Sequence, residues 1–229
     1  MCFKFNEAHV LDCHVTAIFA IMKVLMPVGY FPPISYFAWL NANEVILERK
    51  EHYVKQSLRS RCTIMGANGP LNLLVPRVKA SNRQPMDESE IHDTDDWKTQ
   101  HWRSLVSAYR NSPYFEYYED ELKPFFEQHH THHFQLGLES IELICEILGL
   151  PYNPDFTENH VTEPEQKDLR NAWNKRDYAD KQPVRNLPEY IQVFSDRNAF
   201  APDLSILDLL FCIGPQANEY LQNLGLSDY

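Results

Sequence analysis

The chain has 229 residues, 44% of them hydrophobic and 13% aromatic, enough material for one large domain and too apolar for a disordered chain. Its 21 Lys and Arg stand against 32 Asp and Glu, a formal net charge of -11, and this argues against general nucleic-acid binding, which needs many phosphate-neutralising cations. With 7 Gly against 15 Pro, and neither a GxGxxG nor a Walker-type pattern, no phosphate-cradling loop is legible and no cofactor is assigned.

Residues 17–30 are apolar but contain Lys23 and Pro27. Their uninterrupted runs fall well short of the about 18–20 residues that a membrane-spanning helix needs. No basic leader precedes a small-residue cleavage site, so a cytoplasmic location is expected. The pattern of a cytoplasmic protein begins at Met22. Residues 1–21 are therefore read as an N-terminal extension, consistent with a misplaced start, and residues 22–229 as one domain.

Lys23 to Met26 reads as a buried strand ended by Pro27. After Pro32 and Pro33, the apolar spacing of Ile34, Phe37 and Ala38 predicts a helix over 34–42. Glu44 to Glu48 is a second strand. Strand, helix and strand make a βαβ unit, which implies parallel neighbours in a covered sheet.

Residues 51–60 read as helical, with Lys55 and Arg59 at i and i+4 on one face. Two apolar runs, Cys62 to Met65 and Leu71 to Val75, flank turn residues Gly66 to Pro70 and predict a β-hairpin. Residues 79–96 are polar and read as a surface loop.

A helix is expected over Trp97 to Tyr109, stopped by Asn111-Ser-Pro113, and another over Glu119 to Gln128. Phe134, Leu138, Ile141, Cys145 and Leu148 follow a 4-3-4-3 spacing that predicts a buried helix capped by Gly149. Ile191 to Phe194 is a short strand candidate. Ser205 opens an apolar helix through Phe211 in a capping-box-like pattern with Asp208, and a last helix spans 215–224. The expected fold class is α/β: a mixed sheet with an N-terminal βαβ unit and a hairpin, plus a helical C-terminal half.

The basic run Lys55, Arg59 and Arg61 is a local choice in an acidic chain. It fits a phosphate or carboxylate site, with Asn68 in the following turn. His101 lies among aromatics on the Trp97 helix, near Arg103 and Arg110, and is the candidate general base. Tyr30 and Tyr109 complete the candidate substrate-binding set.

The five cysteines show no CxxC spacing and read as reduced and buried, with Cys62 the best placed for a thiolate beside Arg59 and Arg61. The cluster His129-His130-Thr131-His132-His133 lies between two helices and lacks an HExxH pattern, so no metal is assigned.

Several segments, read in order, resemble the WbqC-like protein family. They are Tyr30-Phe-Pro-Pro-Ile-Ser-Tyr-Phe37, the stretch from Tyr53 to Gly69, and Leu71-Asn-Leu-Leu-Val-Pro76. Trp97-x-x-x-His101-Trp, Ala108-Tyr-Arg-Asn-Ser-Pro-Tyr-Phe115 and Leu204-Ser-Ile-Leu-Asp-Leu-Leu-Phe211-x-x-Gly-Pro215 follow. The family takes its name from bacterial surface-polysaccharide gene clusters. By association, the resemblance implies transfer, of an acyl or aminoacyl group for example, on a nucleotide-linked or lipid-linked sugar. It supplies no catalytic assignment.

The expectation is thus a transferase. Lys55, Arg59, Arg61 and Asn68 would hold an anionic small-molecule substrate such as a nucleotide sugar, and His101 would deprotonate the acceptor. The alternative is a non-catalytic anion-binding or assembly protein that uses the same basic pocket.

Overall fold

The computed structural model describes residues 21–81, 83–92, 96–174 and 183–227. Residues 1–20 of the proposed extension, most of the Asp93 to Asp96 acidic stretch and residues 175–182 therefore lie outside the described residues.

Strand β1 (Lys23–Pro27) is buried at every position after its first residue. It pairs in parallel with β2 (Glu44–Glu48), Leu25 facing Ile46. Between them runs helix α1 (Ile34–Ala42), which starts from Pro33. Every residue of α1 from Ile34 to Leu40 is buried, as expected of a helix apolar all round. Two short strands, β5 (Asp155–Phe156) and β6 (Lys167–Asp168), flank the pair, and the sheet order is β5-β2-β1-β6, all parallel.

The hairpin forms a separate two-stranded sheet of β3 (Arg61–Gly66) and β4 (Gly69–Leu74). It turns at Ala67-Asn68, and Gly69 takes φ 101°, a conformation that suits glycine. The helices are α2 (Trp97–Tyr109), α3 (Phe115–Glu127), α4 (His133–Leu148), α5 (Ile206–Ile213) and α6 (Gln216–Gln222). Gly149 ends α4 in the left-handed region. None of the helices among the described residues is long and apolar enough to cross a membrane.

Three local expectations are corrected. Residues 51–60 form turns, not a helix. Their polar groups bond outward instead: Tyr53 N–H to the Gln84 carbonyl and the Leu58 carbonyl to Tyr30 N–H, while Gln56 takes φ 57°. Long-range partners overrode the i, i+4 charge spacing. Ile191 to Phe194 is not a strand, because Gln192 turns inward to the Asp208 carboxylate and Phe194 takes φ 59°. The loop after β4 is not wholly a surface loop. Met86, Ser89 and Ile91 are buried, and Ile91 N–H donates to the Thr131 carbonyl.

Candidate functional site

A cavity of about 430 Å³ opens where five parts of the chain meet. Phe31 and Pro33 come from the turn between β1 and α1, and Gln56, Ser57 and Leu58 from the loop after β2. Arg61, Cys62 and Thr63 start β3, and Thr63 pairs with Asn72 of β4. Trp173 follows β6, and Asp203 and Ser205 precede α5.

Four described non-glycine residues have positive φ, and three of them, Phe31 (38°), Gln56 (57°) and Asp203 (53°), line this cavity. Such conformations cost about 1–3 kcal/mol each and persist where surrounding bonds hold them. Here the bonds are visible. Phe31 N–H donates to Ser140 Oγ at 3.1 Å, and the Phe31 carbonyl accepts from Ser205 Oγ at 2.8 Å. Asp203 accepts from the Ser35 amide at 2.7 Å and from its hydroxyl at 2.6 Å, so it caps α1 across the chain. Trp173 Nε1–H donates to the same Ser35 oxygen at 2.8 Å.

The starts of α1 and α5 both border the cavity, at Pro33 and Ser205, and their dipoles favour negative charge there. Their first amides are already used: Ile34 N–H donates to the Leu204 carbonyl and Ile206 N–H to the Pro32 carbonyl. Arg61 is the one Lys or Arg side chain in the lining. Its Nε is buried and has no hydrogen-bond partner among the described residues. A buried donor in that state carries a desolvation cost that an anion would relieve. Cys62 is on the same wall, but burial pushes its thiol up to about 12, so it stays protonated and is no ready nucleophile.

The expected site residues separate in space. Arg61 lines the cavity, and Lys55 is exposed outside its lining, one residue before Gln56. Arg59 is 1% exposed and paired with Glu51, so its guanidinium faces protein. Asn68 sits at the hairpin tip, roughly 15–20 Å along β3 from Arg61 at about 3.3 Å per residue. The structure thus does not gather Lys55, Arg59, Arg61 and Asn68 at one mouth.

Tyr30 and Tyr109 are fully buried. The Tyr109 hydroxyl donates to Asp208 Oδ1 at 2.6 Å and accepts from Met65 N–H at 2.9 Å. Asp208, which sequence pattern reads as a helix-start residue, is buried under Tyr109, Tyr190 and Gln192, and burial raises its carboxyl above the usual range.

His101 does not line the cavity. Its Nε2–H donates to the Leu74 carbonyl at 3.2 Å, and its Nδ1 accepts from the Tyr30 hydroxyl at 2.9 Å. Burial lowers its pKa to about 4, against the opposing pull of the Leu74 carbonyl. Both ring nitrogens are engaged in the interior. Leu74 is the strand partner of Arg61, so His101 supports the cavity wall at one remove.

Among the described residues, no group of three or more His, Cys, Asp and Glu is placed to hold a metal ion. His130 contacts Glu139 at 2.9 Å and the Phe125 carbonyl at 2.8 Å. His133 is buried against Ser89.

Sequence reasoning missed Gln56 and Trp173. No local pattern marks Gln56 as left-handed. Trp173 lies in a Pro-rich polar stretch where nothing separates a cavity wall from a surface aromatic.

A parallel βαβ core with a hairpin and a helical second half, bordering a cavity whose lining includes Arg61, defines a mixed α/β protein. The chain matches the WbqC-like protein family over residues 28–187, and it belongs to that family. It is also 27% identical over 221 residues to the Uncharacterized protein Rv1507c of Mycobacterium tuberculosis (strain ATCC 25618 / H37Rv), covering 85% of this chain and 92% of that relative. No solved structure matches. Apart from Asp203 and Ser205, the cavity-lining residues lie within the family span.

Proposed function

We propose that the protein is a transferase of bacterial surface-polysaccharide synthesis, one that holds the anionic part of a nucleotide-linked or lipid-linked sugar at Arg61 and transfers an acyl or aminoacyl group. The observation that carries the anion-binding half is Arg61, the one Lys or Arg in the lining of a cavity framed by three left-handed residues, with its Nε buried and without a partner among the described residues. The apolar lining of Phe31, Leu58 and Trp173 suits the uncharged body of such a ligand. The substrate class follows from the family name alone.

The test is a thermal-shift screen of the full chain with UDP-glucose, UDP-N-acetylglucosamine and acetyl-coenzyme A. A ligand at 100 times its Kd stabilises the native state by about 2.7 kcal/mol. Arg61→Ala should abolish the shift while the ligand-free protein melts near the wild-type temperature. A shift that survives Arg61→Ala, or no shift with any of the three, overturns the reading.

The second reading is a protein that binds the same anion without turning it over. It is favoured by two observations: the Cys62 thiol in the lining is held protonated, and His101 lies outside the lining with both ring nitrogens bonded in the interior. Product formation from a bound donor separates the two readings.

A further inference from the structure

Arg59 belongs to the basic run, yet it makes its bonds away from the cavity. It lies at the end of the loop that supplies Gln56, Ser57 and Leu58 to one wall, two residues before Arg61. Its Nε–H donates to Glu51 Oε1 at 2.8 Å and its Nη2 to Glu51 Oε2, at the beginning of the same loop. Nη2 also donates to the Arg170 carbonyl at 3.1 Å, and Nη1 reaches Asn174 Oδ1 at 3.5 Å. Arg170 and Asn174 bracket Trp173, which lines the cavity from the segment after β6.

One buried guanidinium therefore ties the two ends of the loop together and fastens that loop to the segment carrying the Trp173 wall. A planar fork with five donors can do this, whereas a lysine ammonium with three donors on one atom cannot satisfy the same partners.

The tie continues at the carboxyl edge of the parallel sheet. Arg170 itself donates to Asp168 at 2.7 Å, to Glu48 at 3.2 Å and to the Val161 carbonyl at 2.6 Å. Glu48 accepts from Thr157 Oγ1 at 3.1 Å. The segments that follow β2, β5 and β6 are thus joined through Arg59, Arg170 and Glu48. In open α/β sheets ligands bind outside this carboxyl edge, so a device that sets the spacing of its loops sets the shape of the site.

We propose that Arg59 is a positioning residue. It touches no ligand, but its fork on Glu51, the Arg170 carbonyl and Asn174 holds the Arg61 wall and the Trp173 wall at the width the ligand needs. The role assigned to the cavity rests on the reading above; the coupling of the two walls does not.

The experiment labels the full chain with 5-fluorotryptophan and follows Trp173 by fluorine NMR, its resonance assigned with Trp173→Phe. In Arg59→Lys, the Trp173 resonance should shift or broaden while those of Trp97 and Trp102 hold. The affinity for UDP-glucose should fall at least tenfold. Glu51→Gln, which keeps the side-chain shape and an acceptor, should show a smaller change in the same resonance, and it serves if Arg59→Lys does not fold.

A Trp173 resonance unchanged in the folded variants overturns the proposal. So does an affinity loss that comes without a change at Trp173, because that would be a general loss of stability. If the wild-type protein binds none of the three probes, the ligand reading fails, and the resonance comparison still decides the role of Arg59.

Discussion

His101 sits between two fixed partners, the Tyr30 hydroxyl and the Leu74 carbonyl, and both define its tautomer. Its folded pKa of about 4 lies below the ordinary value of 6.5, because burial disfavours the imidazolium. The sign of the pH effect follows. Above about pH 6.5 neither folded nor unfolded imidazole binds a proton, and the contribution to stability is complete. As the pH falls toward 4, the unfolded chain takes up a proton that the native protein refuses, and stability is lost. The size is about 3 kcal/mol, at 1.36 kcal/mol per pKa unit. Urea midpoints taken between pH 7 and pH 4 on wild type and His101→Gln should converge as the pH falls. Parallel curves would mean that His101 is not buried as a neutral ring. The same variant answers the catalytic question: a structural His101 costs melting temperature, whereas a general base would cost about 10²–10⁴-fold in turnover at unchanged folding.

Helix α4 meets the end of β1 at a glycine. A Cβ built on Gly137 would stand 2.5 Å from Val28 Cγ1 and 3.1 Å from the Gly29 carbonyl oxygen. Alanine is the better helix former by about 1 kcal/mol, so on an exposed helix this change would stabilise. Here the contact decides the sign. Val28 is fully buried, and the Gly29 oxygen is backbone that also accepts from Ser140 Oγ at 3.2 Å. Gly137→Ala should therefore destabilise by about 1–3 kcal/mol, the usual cost of overpacking, read as a lower denaturation midpoint at unchanged slope. A midpoint equal to or above wild type would show that the helix slides without cost. Because Phe31 is bonded to Ser140 on the same helix, the substitution should also weaken any ligand held in the cavity.

At the scale of the whole molecule, one buried cluster runs from Val24 to Leu224 and takes in the sheet, the hairpin and the helices. The family match begins at residue 28, and Met22 already joins the sheet edge: its amide donates to Asn43 Oδ1 at 3.3 Å, and its carbonyl accepts from Glu44 N–H at 3.0 Å. A chain starting at Met22 keeps both bonds. It should fold and melt within about 4 °C of the full chain, equivalent to roughly 1 kcal/mol for a protein of this size. Aggregation, or a much larger drop measured by calorimetry, would place residues 1–21 in the core.

The order of the longer elements was legible because each carries its own signal, whereas β5 and β6, two residues each, carry none and were not expected. Pro33 and the apolar run after it locate α1, Gly149 stops α4, and paired apolar runs around Gly66 and Gly69 make the hairpin. Parallel pairing of β1 with β2 followed from the helix between them. The resemblance carried by Tyr30 to Phe37 and Trp97 to Phe115 was likewise legible, and the family holds. Of the expected catalytic and substrate-binding residues, only Arg61 lines the cavity. Neighbours in sequence point to different places once the chain folds: Lys55 to solvent, Arg59 to Glu51, Arg61 to the cavity. Residue type and spacing report the charge a side chain carries. Which way it faces depends on the partners that reach it from distant segments, Asn174 and the Arg170 carbonyl for Arg59, Tyr30 and Leu74 for His101. Those partners exist only in the tertiary structure.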